Sequence, residues 1–318
     1  MNSKSPTDPA PAEPDPESSV FETEHLDNWP FKGTSLAVLG HPVKHSISPP
    51  MHNAALKRMA ETDPAFADWR YFKFHVPPGR LPETLSLLHA KRFRGVNLTL
   101  PHKTDALPLL TRIDPVAERM GAVNTLVWTA DGYEGFNSDG YGLSTAVEEQ
   151  LGAGLSSQPV ILLGAGGAAR AAAVQCILDM CPELWLGNRN QDRLKALYRD
   201  LLSIRKESST RLEAFDLSAP PDNLPAPALI INATSAGLAP DSPSPLDLSA
   251  LKGAFSVYEM IYNPPETALM KEARLRGMRA ANGLSMLVHQ GVRSLEIWSG
   301  AAVPVDAMRT AAENALAT

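Results

Sequence analysis

The chain has 318 residues, of which 44% are hydrophobic and 20% are charged, and its formal net charge is −6. This length predicts two domains with separate cores, and the acidic balance argues against a general attraction to nucleic acid or anionic membranes. Only two cysteines occur, and no apolar run is long enough for a membrane span or a signal peptide. We therefore expect a cytoplasmic protein without disulfides.

The first 28 residues are rich in Pro, Ser, Asp and Glu and contain few large apolar side chains. Such a segment buries too little apolar surface to offset the conformational entropy that is lost on ordering. We therefore predict a disordered tail over residues 1–28.

A small α/β domain is predicted over residues 29–137. Strands alternate with helices, and the predicted ranges are 35–40, 51–60, 70–76, 81–92, 95–100 and a helix that starts near Pro101. A hairpin follows over 121–137, with its turn at Asp131-Gly132. Because helices connect the first three strands, we expect those strands to pair in parallel.

A glycine-rich turn marks the start of a second domain. The apolar strand Val160 to Leu163 runs into Gly164-Ala165-Gly166-Gly167 and then into an alanine-rich helix. Gly164, Gly166 and Ala169 fit the G-x-G-x-x-G/A pattern of dinucleotide-binding folds. The first N–H groups of such a helix attract a pyrophosphate, although the same turn also occurs for purely structural reasons.

The remaining elements complete a two-domain α/β architecture. Further strands are predicted over 183–190, 228–235, 254–262 and 278–282, and the last two helices over 286–298 and 305–316. We predict a Rossmann-type dinucleotide domain over residues 138–283. The smaller α/β substrate domain, residues 29–137, is then completed by C-terminal helices within 284–318.

Four polar residues in the first domain or just beyond its boundary are candidates for chemistry. Ser46 and Ser48 lie two residues apart in a loop, so both hydroxyls could donate to one carboxylate, although an ordinary turn has the same composition. Lys103 opens a helix beyond a strand end, where ligands of α/β sheets gather and where the helix dipole disfavours a cation. A solvated lysine is the alternative, and for Asp139 the alternative is a helix cap.

The strand over 183–190 bears on cofactor choice. NAD-selective domains usually carry an acidic residue about 20 positions beyond the glycines, but this strand ends in Asn188-Arg189. An arginine can bind a 2′-phosphate through charge-assisted hydrogen bonds. The sequence therefore favours NADP, with an ordinary surface arginine as the alternative.

Three histidines, His41, His45 and His52, lie close together in sequence. Pro42 and a change of backbone class between them argue against a common face, and no cluster of carboxylates or cysteines accompanies them. We predict no metal site.

Nine sequence blocks together resemble the shikimate dehydrogenase family in order and spacing. The blocks are Gly40–Leu56, Gly95–Lys103, Gly121–Leu126, Gly135–Leu143, Gly164–Arg170, Gly187–Arg189, Ile231–Leu238, Tyr258–Thr267 and Asn282–Gly291. They extend from near residue 35 to the last helices. The resemblance implies an NADP-dependent enzyme that reversibly reduces 3-dehydroshikimate to shikimate in a cleft between two domains.

The resemblance also implies a role for individual residues. Lys103 is expected to donate and accept the proton, and Asp139 to orient it and bind a substrate hydroxyl. The substrate-binding residues it implies are Ser46, Ser48, Thr99, Asn124, Tyr262 and Gln290. The cofactor-binding residues it implies are Gly164, Gly166, Gly167, Ala168, Asn188, Arg189, Thr234, Met260 and Gly283.

The chain departs from the family pattern at four positions. Ser138 stands where Thr is common, Glu259 where Asp is common, Asn190 where Ser or Thr is common, and Ser285 where Gly is common. A quinate or aminoshikimate dehydrogenase, or a catalytically silent NADP-binding sensor, remains an alternative. We expect a monomer or homodimer that binds a small-molecule substrate.

Overall fold

The structure, a computed structural model, describes residues 15–239 and 241–317. Within these residues the strands are β1 Thr34–Gly40, β2 Trp69–His75, β3 Gly95–Leu98, β4 Arg112–Ile113, β5 Thr125–Thr129, β6 Gly132–Phe136, β7 Val160–Leu163, β8 Glu183–Asn188, β9 Arg211–Asp216, β10 Ala228–Asn232, β11 Phe255–Glu259 and β12 Arg279–Ala281. The helices are α1 Ser48–Ala60, α2 Leu81–Ala90, α3 His102–Asp105, α4 Pro115–Met120, α5 Asp139–Leu151, α6 Gly167–Leu178, α7 Gln191–Ile204, α8 Ala268–Leu275, α9 Leu284–Ser299 and α10 Val305–Ala317.

The first six-stranded sheet has the order β2-β1-β3-β5-β6-β4. Strands β1, β2 and β3 pair in parallel, as the intervening helices predict. Strands β5 and β6 form the predicted antiparallel hairpin, and Thr129 pairs with Gly132 beside its turn. The sequence did not indicate β4, which has only two residues and pairs with β6.

The second six-stranded sheet is entirely parallel, with the order β12-β11-β10-β7-β8-β9. This is the doubly wound order of a Rossmann fold, in which the direction of winding reverses between β7 and β10. The predicted mixed α/β fold class is confirmed. The reversal leaves a crevice at the carboxyl ends of β7 and β10, where the glycine-rich turn lies.

The C-terminal helices α9 and α10 pack on the first sheet rather than on the second. Val288, Leu295 and Trp298 share a buried cluster with Leu36 of β1 and Met51 of α1. The Trp298 indole N–H also donates to the Leu126 carbonyl at 2.9 Å. Two helices, α5 and α9, lie side by side where the chain passes from one sheet to the other and back.

The prediction of a disordered tail is wrong for residues 15–28, and residues 1–14 lie outside the described residues. Phe21 and Leu26 are buried in the core of the first domain. Phe21 also forms a parallel bridge with Phe74 on the edge strand β2. The average composition of the segment did not indicate that two of its apolar residues are buried, because the residues they pack against lie about fifty positions or more away in the chain.

A Leu26→Ala variant tests the anchoring of this segment. Leu26 is fully buried, so removing its side chain should destabilise the protein by about 2–5 kcal/mol in urea unfolding. Glu17→Ala changes an exposed residue of the same segment and should stay within about 0.5 kcal/mol of wild type. Equal stabilities for the two variants would contradict a docked segment.

Candidate active site

A cavity of about 370 Å³ lies between the two sheets. Its lining includes both residues proposed for catalysis, the six proposed for substrate binding and two of those proposed for the cofactor. These are Lys103, Asp139, Ser46, Ser48, Thr99, Asn124, Tyr262, Gln290, Met260 and Gly283. Residues from widely separated sequence blocks therefore meet at one place.

Strand register explains why the loops of the first domain converge there. Leu39 pairs with Leu98, so β1 and β3 end at the same edge of the sheet. The Thr99 N–H donates to the Leu39 carbonyl at 3.0 Å, and the His41 N–H donates to the Leu100 carbonyl at 2.9 Å. The serine loop and the lysine loop consequently leave the sheet side by side.

Lys103 and Asp139 form an ion pair on the cavity wall. The Lys103 Nζ donates to Asp139 Oδ2 at 2.6 Å, and the two side chains are 29% and 15% exposed. Asn124 Nδ2 donates to the other carboxylate oxygen at 2.9 Å. The helix that Asp139 begins has no side-chain cap hydrogen bond, which argues against the capping alternative. The ion pair itself argues against a freely solvated lysine.

The loop with Ser46 and Ser48 forms another part of the wall. Ser48 is the first residue of α1, and its N–H donates to Ser46 Oγ at 3.3 Å. This backbone contact leaves the Ser46 hydroxyl proton free to point elsewhere, because the oxygen acts as acceptor. The two hydroxyls thus border one part of the cavity, as their spacing predicts.

A buried polar network beneath the cavity was not found from the sequence. Asn97 Nδ2 donates to the Asn124 carbonyl at 2.9 Å and to Ser294 Oγ at 3.0 Å, and its Oδ1 accepts from the Tyr71 hydroxyl at 2.7 Å. Ser138, fully buried, donates its N–H to Asn124 Oδ1 at 2.8 Å. These bonds hold Asn124 in the orientation that binds Asp139.

The glycine-rich turn has the geometry that a bound pyrophosphate needs. Gly164 has φ +120°, and a Cβ there would lie 3.0 Å from the Ala233 carbonyl oxygen. At Gly166 and Gly167 a Cβ would meet nothing within 4 Å, so the start of α6 faces open space. The exposed N–H groups of this helix start can bind an anion there.

A surface groove of about 320 Å³ adjoins this turn and includes an arginine that the sequence analysis missed. Gly166, Gly167 and Arg193 are among its lining residues. Arg193 is the third residue of α7, and the exposed Arg189 lies just before the start of that helix. A second basic residue four positions after Arg189 was the sequence signal that could have found it.

Known proteins share this fold and these sequence blocks. A profile described as "Shikimate dehydrogenase substrate binding domain" matches residues 38–126, and "Shikimate 5'-dehydrogenase C-terminal domain" matches residues 283–313. The shikimate dehydrogenase (NADP⁺) of Symbiobacterium thermophilum is 39% identical over 288 residues, which cover 89% of this chain and 95% of that protein. The chain belongs to the shikimate dehydrogenase family.

Solved structures of shikimate and quinate dehydrogenases have the same fold as this chain. The shikimate 5-dehydrogenase of Thermus thermophilus in complex with NADP(H) and shikimate has a TM-score of 0.76 and 35% identity, covering 89% of this chain and all of that one. Quinate dehydrogenase from Corynebacterium glutamicum in complex with NAD has a TM-score of 0.78 and 27% identity, covering 89% of this chain and 99% of that one. The resemblance inferred from the nine blocks is confirmed.

Two residues that depart from the family pattern, Glu259 and Ser285, form buried or partly buried hydrogen bonds. Burial raises the pKa of the Glu259 carboxyl, which accepts hydrogen bonds from Asn232 Nδ2 at 2.8 Å and Thr267 Oγ1 at 3.0 Å. Ser285 donates to Glu149, so its side chain fastens the start of α9 to α5. Both bonds brace elements that carry cavity residues, since Met260 follows Glu259 and Met286 follows Ser285.

Close backbone approach explains the glycine at position 283. A Cβ on Gly283 would lie 2.1 Å from the Met260 carbonyl oxygen, which no side chain tolerates. The Gly283 N–H donates to the Ile261 carbonyl at 3.1 Å. The loops after β11 and β12 are thereby held together at the cavity, where Met260 and Gly283 line one wall.

The three neighbouring histidines take separate places. His52 is buried and stacks on Tyr71, with ring centroids 4.0 Å apart, whereas His41 contacts His75 and His45 lines the cavity. Over the described ranges, no group of three or more His, Cys, Asp or Glu side chains could hold a metal ion. Nor does that part of the chain contain a helix long and apolar enough to cross a membrane.

The pH dependence of stability tests the contacts by which Glu149 on α5 holds the start of α9. Burial raises the pKa of this carboxyl, but hydrogen bonds from Ser285, Gln150 and His289 and the charge of Arg309 outweigh burial and lower it to about 2. A carboxyl with a lowered pKa stabilises the fold above its unfolded value of 4.5, and that stabilisation is lost as pH falls toward about 2.

We therefore expect Glu149→Gln to lower stability at neutral pH and to make the loss of stability between about pH 4.5 and about pH 2 shallower. Urea midpoints measured across this range provide the check. Glu148→Gln is the control, because that exposed neighbour lies outside the cluster. An unchanged pH profile for Glu149→Gln would contradict the assignment.

Proposed function

We propose that this chain catalyses the NADPH-dependent, reversible reduction of 3-dehydroshikimate to shikimate. The observation that carries the proposal is the ion pair of Lys103 and Asp139, 2.6 Å apart, on the wall of a cavity that Ser46 and Ser48 also line. The names of the relatives support the same reaction and the same cofactor. Membership of the family and the site chemistry thus agree.

Lys103 donates the proton in the reduction and accepts it in the oxidation. Bound NADPH supplies the hydride, and the ketone that receives it becomes an alkoxide. The Lys103 ammonium stabilises the developing negative charge and transfers one proton to that oxygen, which leaves a neutral amine. In the oxidation direction the amine removes the hydroxyl proton.

Asp139 fixes the position of the lysine and contacts the substrate. Its Oδ2 accepts from Lys103 and its Oδ1 accepts from Asn124, so the carboxylate is oriented from two sides. An ionised carboxylate has further lone pairs, which can accept from a ring hydroxyl of the substrate. Asn124 and Gln290 are proposed to bind further hydroxyls of the substrate. The Asn124 Nδ2 lies 3.5 Å from the Gln290 Oε1.

The substrate carboxylate binds at the hydroxyl-rich part of the cavity. We assign it to Ser46 and Ser48, with Thr99 and Tyr262 as neighbouring donors. Burial raises the pKa of the Tyr262 hydroxyl, so it stays protonated and remains a donor at neutral pH. Hydroxyl donors bind a carboxylate without placing a second cation near Lys103.

The cofactor binds along the second sheet. The turn of Gly164, Gly166, Gly167 and Ala168 is assigned to the pyrophosphate, and Asn188, Arg189 and Arg193 to the adenosine end with its 2′-phosphate. Thr234, Met260 and Gly283 are assigned to the nicotinamide end. The second domain fits a dinucleotide for two reasons. The start of α6 is open, and two exposed arginines, Arg189 and Arg193, follow β8.

The enzyme is proposed to work as a monomer or homodimer in the cytoplasm. The two cysteines, Cys176 and Cys181, are buried free thiols, which agrees with a reducing compartment.

Replacing Lys103 by Ala should lower kcat for shikimate oxidation by about 10²-fold or more, the usual scale for a positioned acid–base group. The KM for shikimate should change much less, because proton transfer belongs to the transition state. Lys271→Ala, at an exposed site on α8, serves as the control. A near-normal kcat in Lys103→Ala would exclude the proposed mechanism. Wild-type protein that binds NADP but does not oxidise shikimate would instead favour the sensor alternative.

Arg189→Ala should weaken NADP binding by about 1.5–3 kcal/mol and leave NAD binding nearly unchanged, because only NADP carries the 2′-phosphate. Isothermal titration of both cofactors measures the difference. Arg199→Ala is the control, because it removes an exposed arginine further along α7, about ten positions beyond the end of β8. Equal losses for the two cofactors would mean that Arg189 supports the fold rather than the phosphate.

Shikimate should be preferred over quinate by up to about 10²-fold in kcat/KM, the usual limit for rejecting an added hydroxyl. Quinate has an extra hydroxyl on the carbon that bears the carboxylate, where Ser48 crowds it. Ser48→Gly should reduce this difference in kcat/KM, and it should also weaken the binding of shikimate, because the carboxylate loses one hydroxyl contact. A wild-type kcat/KM for quinate equal to that for shikimate would favour the quinate dehydrogenase alternative.

A further inference from the structure

Glu22, in the docked N-terminal segment, reaches the loop of the cavity through two histidine rings. Both oxygens of its carboxylate contact His75 Nδ1, at 3.0 and 3.1 Å. His75 Nε2 in turn lies 2.7 Å from His41 Nδ1. His41 is the first residue after β1, at the beginning of the loop that contains Ser46 and Ser48.

The chemistry of the three groups sets the direction of these bonds. An ionised carboxylate only accepts, so His75 Nδ1 carries a proton and donates it to Glu22. In a neutral His75 the other nitrogen is then an acceptor, and His41 Nδ1 must be the donor to it. The Glu22 carboxylate thereby selects the tautomer of both rings and fixes the side chain of His41.

The segment that holds Glu22 is itself firmly seated. The Phe21 N–H donates to the Lys73 carbonyl at 3.0 Å, and the His75 N–H donates to the Phe21 carbonyl at 2.8 Å, so residue 21 is bonded to β2 on both sides of Phe74. The hydroxyls of Thr23 and Thr84 lie 2.8 Å apart, which ties the segment to α2. Glu22 is therefore held beside the sheet edge, where its side chain is 45% exposed and that of His75 is 30% exposed.

A short chain of contacts leads from His41 to the serines. Pro42 and Val43 follow His41 and line the cavity, and Val43 is buried. The Ser46 N–H donates to the Val43 carbonyl at 3.0 Å. A displacement of His41 would move this turn and with it the two hydroxyls.

We propose that Glu22 is a positioning residue for the substrate carboxylate site, acting through His75 and His41 on the loop with Ser46 and Ser48. The proposal rests on the proposed function of that loop. Glu22 lies outside the residues 38–126 that match the family's substrate-binding domain, so this restraint comes from a part of the chain that the domain profile does not include.

The test compares Glu22→Ala with Glu24→Ala. Glu24 belongs to the same segment but pairs with Arg80 at 2.8 Å, away from the loop. Glu22→Ala should raise the KM for shikimate about threefold to tenfold, the change expected from losing one intramolecular hydrogen bond, with unchanged KM for NADP and nearly unchanged kcat. Glu24→Ala should leave all three constants at wild-type values.

Two further variants separate positioning from a general loss of stability. Glu22→Gln keeps an acceptor for His75 Nδ1–H and should restore most of the shikimate KM. His75→Phe should raise that KM as Glu22→Ala does, and combining the two should add little, because they remove the same link. Equal rises in the KM for shikimate and for NADP, or no rise in Glu22→Ala, would overturn the proposal.

Amide hydrogen exchange gives a readout that does not depend on turnover. Residues 41–48 should exchange faster in Glu22→Ala than in wild type and Glu24→Ala. Wild-type protein that fails to oxidise shikimate would refute the proposed function, whereas unchanged exchange in this loop would refute the positioning role of Glu22.

Discussion

The half-buried ion pair between Lys103 and Asp139 is the interaction on which the cleft depends. Removing two charges from water costs free energy, and apolar side chains often replace such pairs without loss of stability. Folding alone therefore does not account for it. The amide of Asn124 holds the carboxylate from its other side, and Asn97, Ser138 and the α9 residue Ser294 hold Asn124. Much of the buried polar structure of the first domain thus supports the direction in which one lysine points.

The sequence predicted those features that arise from local pattern. The strand before Gly164, the alanine-rich helix after it and the hairpin around Gly132 each follow from spacing within about fifteen residues. The site residues were found because the family resemblance names them in separate blocks. Their convergence on one cavity depends on the register of β1 against β3, and a sequence pattern does not contain that register.

What the sequence did not predict depends on distant partners. Asn97 and Ser294 are separated by 197 positions, and each alone is an ordinary polar residue. The burial of Phe21 and Leu26 was not predicted, because the segment is acidic and proline-rich on average and the burial depends on contacts with β2 and α2. The helix expected from Pro101 is only one turn, because Pro108 cannot continue an α-helix, and a short 3₁₀ turn over Leu107–Leu109 replaces it.

The return of α9 and α10 to the first sheet has a consequence for synthesis on the ribosome. Every strand of the second sheet lies between residues 160 and 281, so that sheet can assemble as soon as this stretch has emerged. The face of the first sheet around Leu36 and Val38 is completed only by Val288, Leu295 and Trp298, which are translated after every strand of the second sheet. The domain that begins first is therefore completed after the other one, and part of its apolar face stays uncovered until α9 and α10 have emerged.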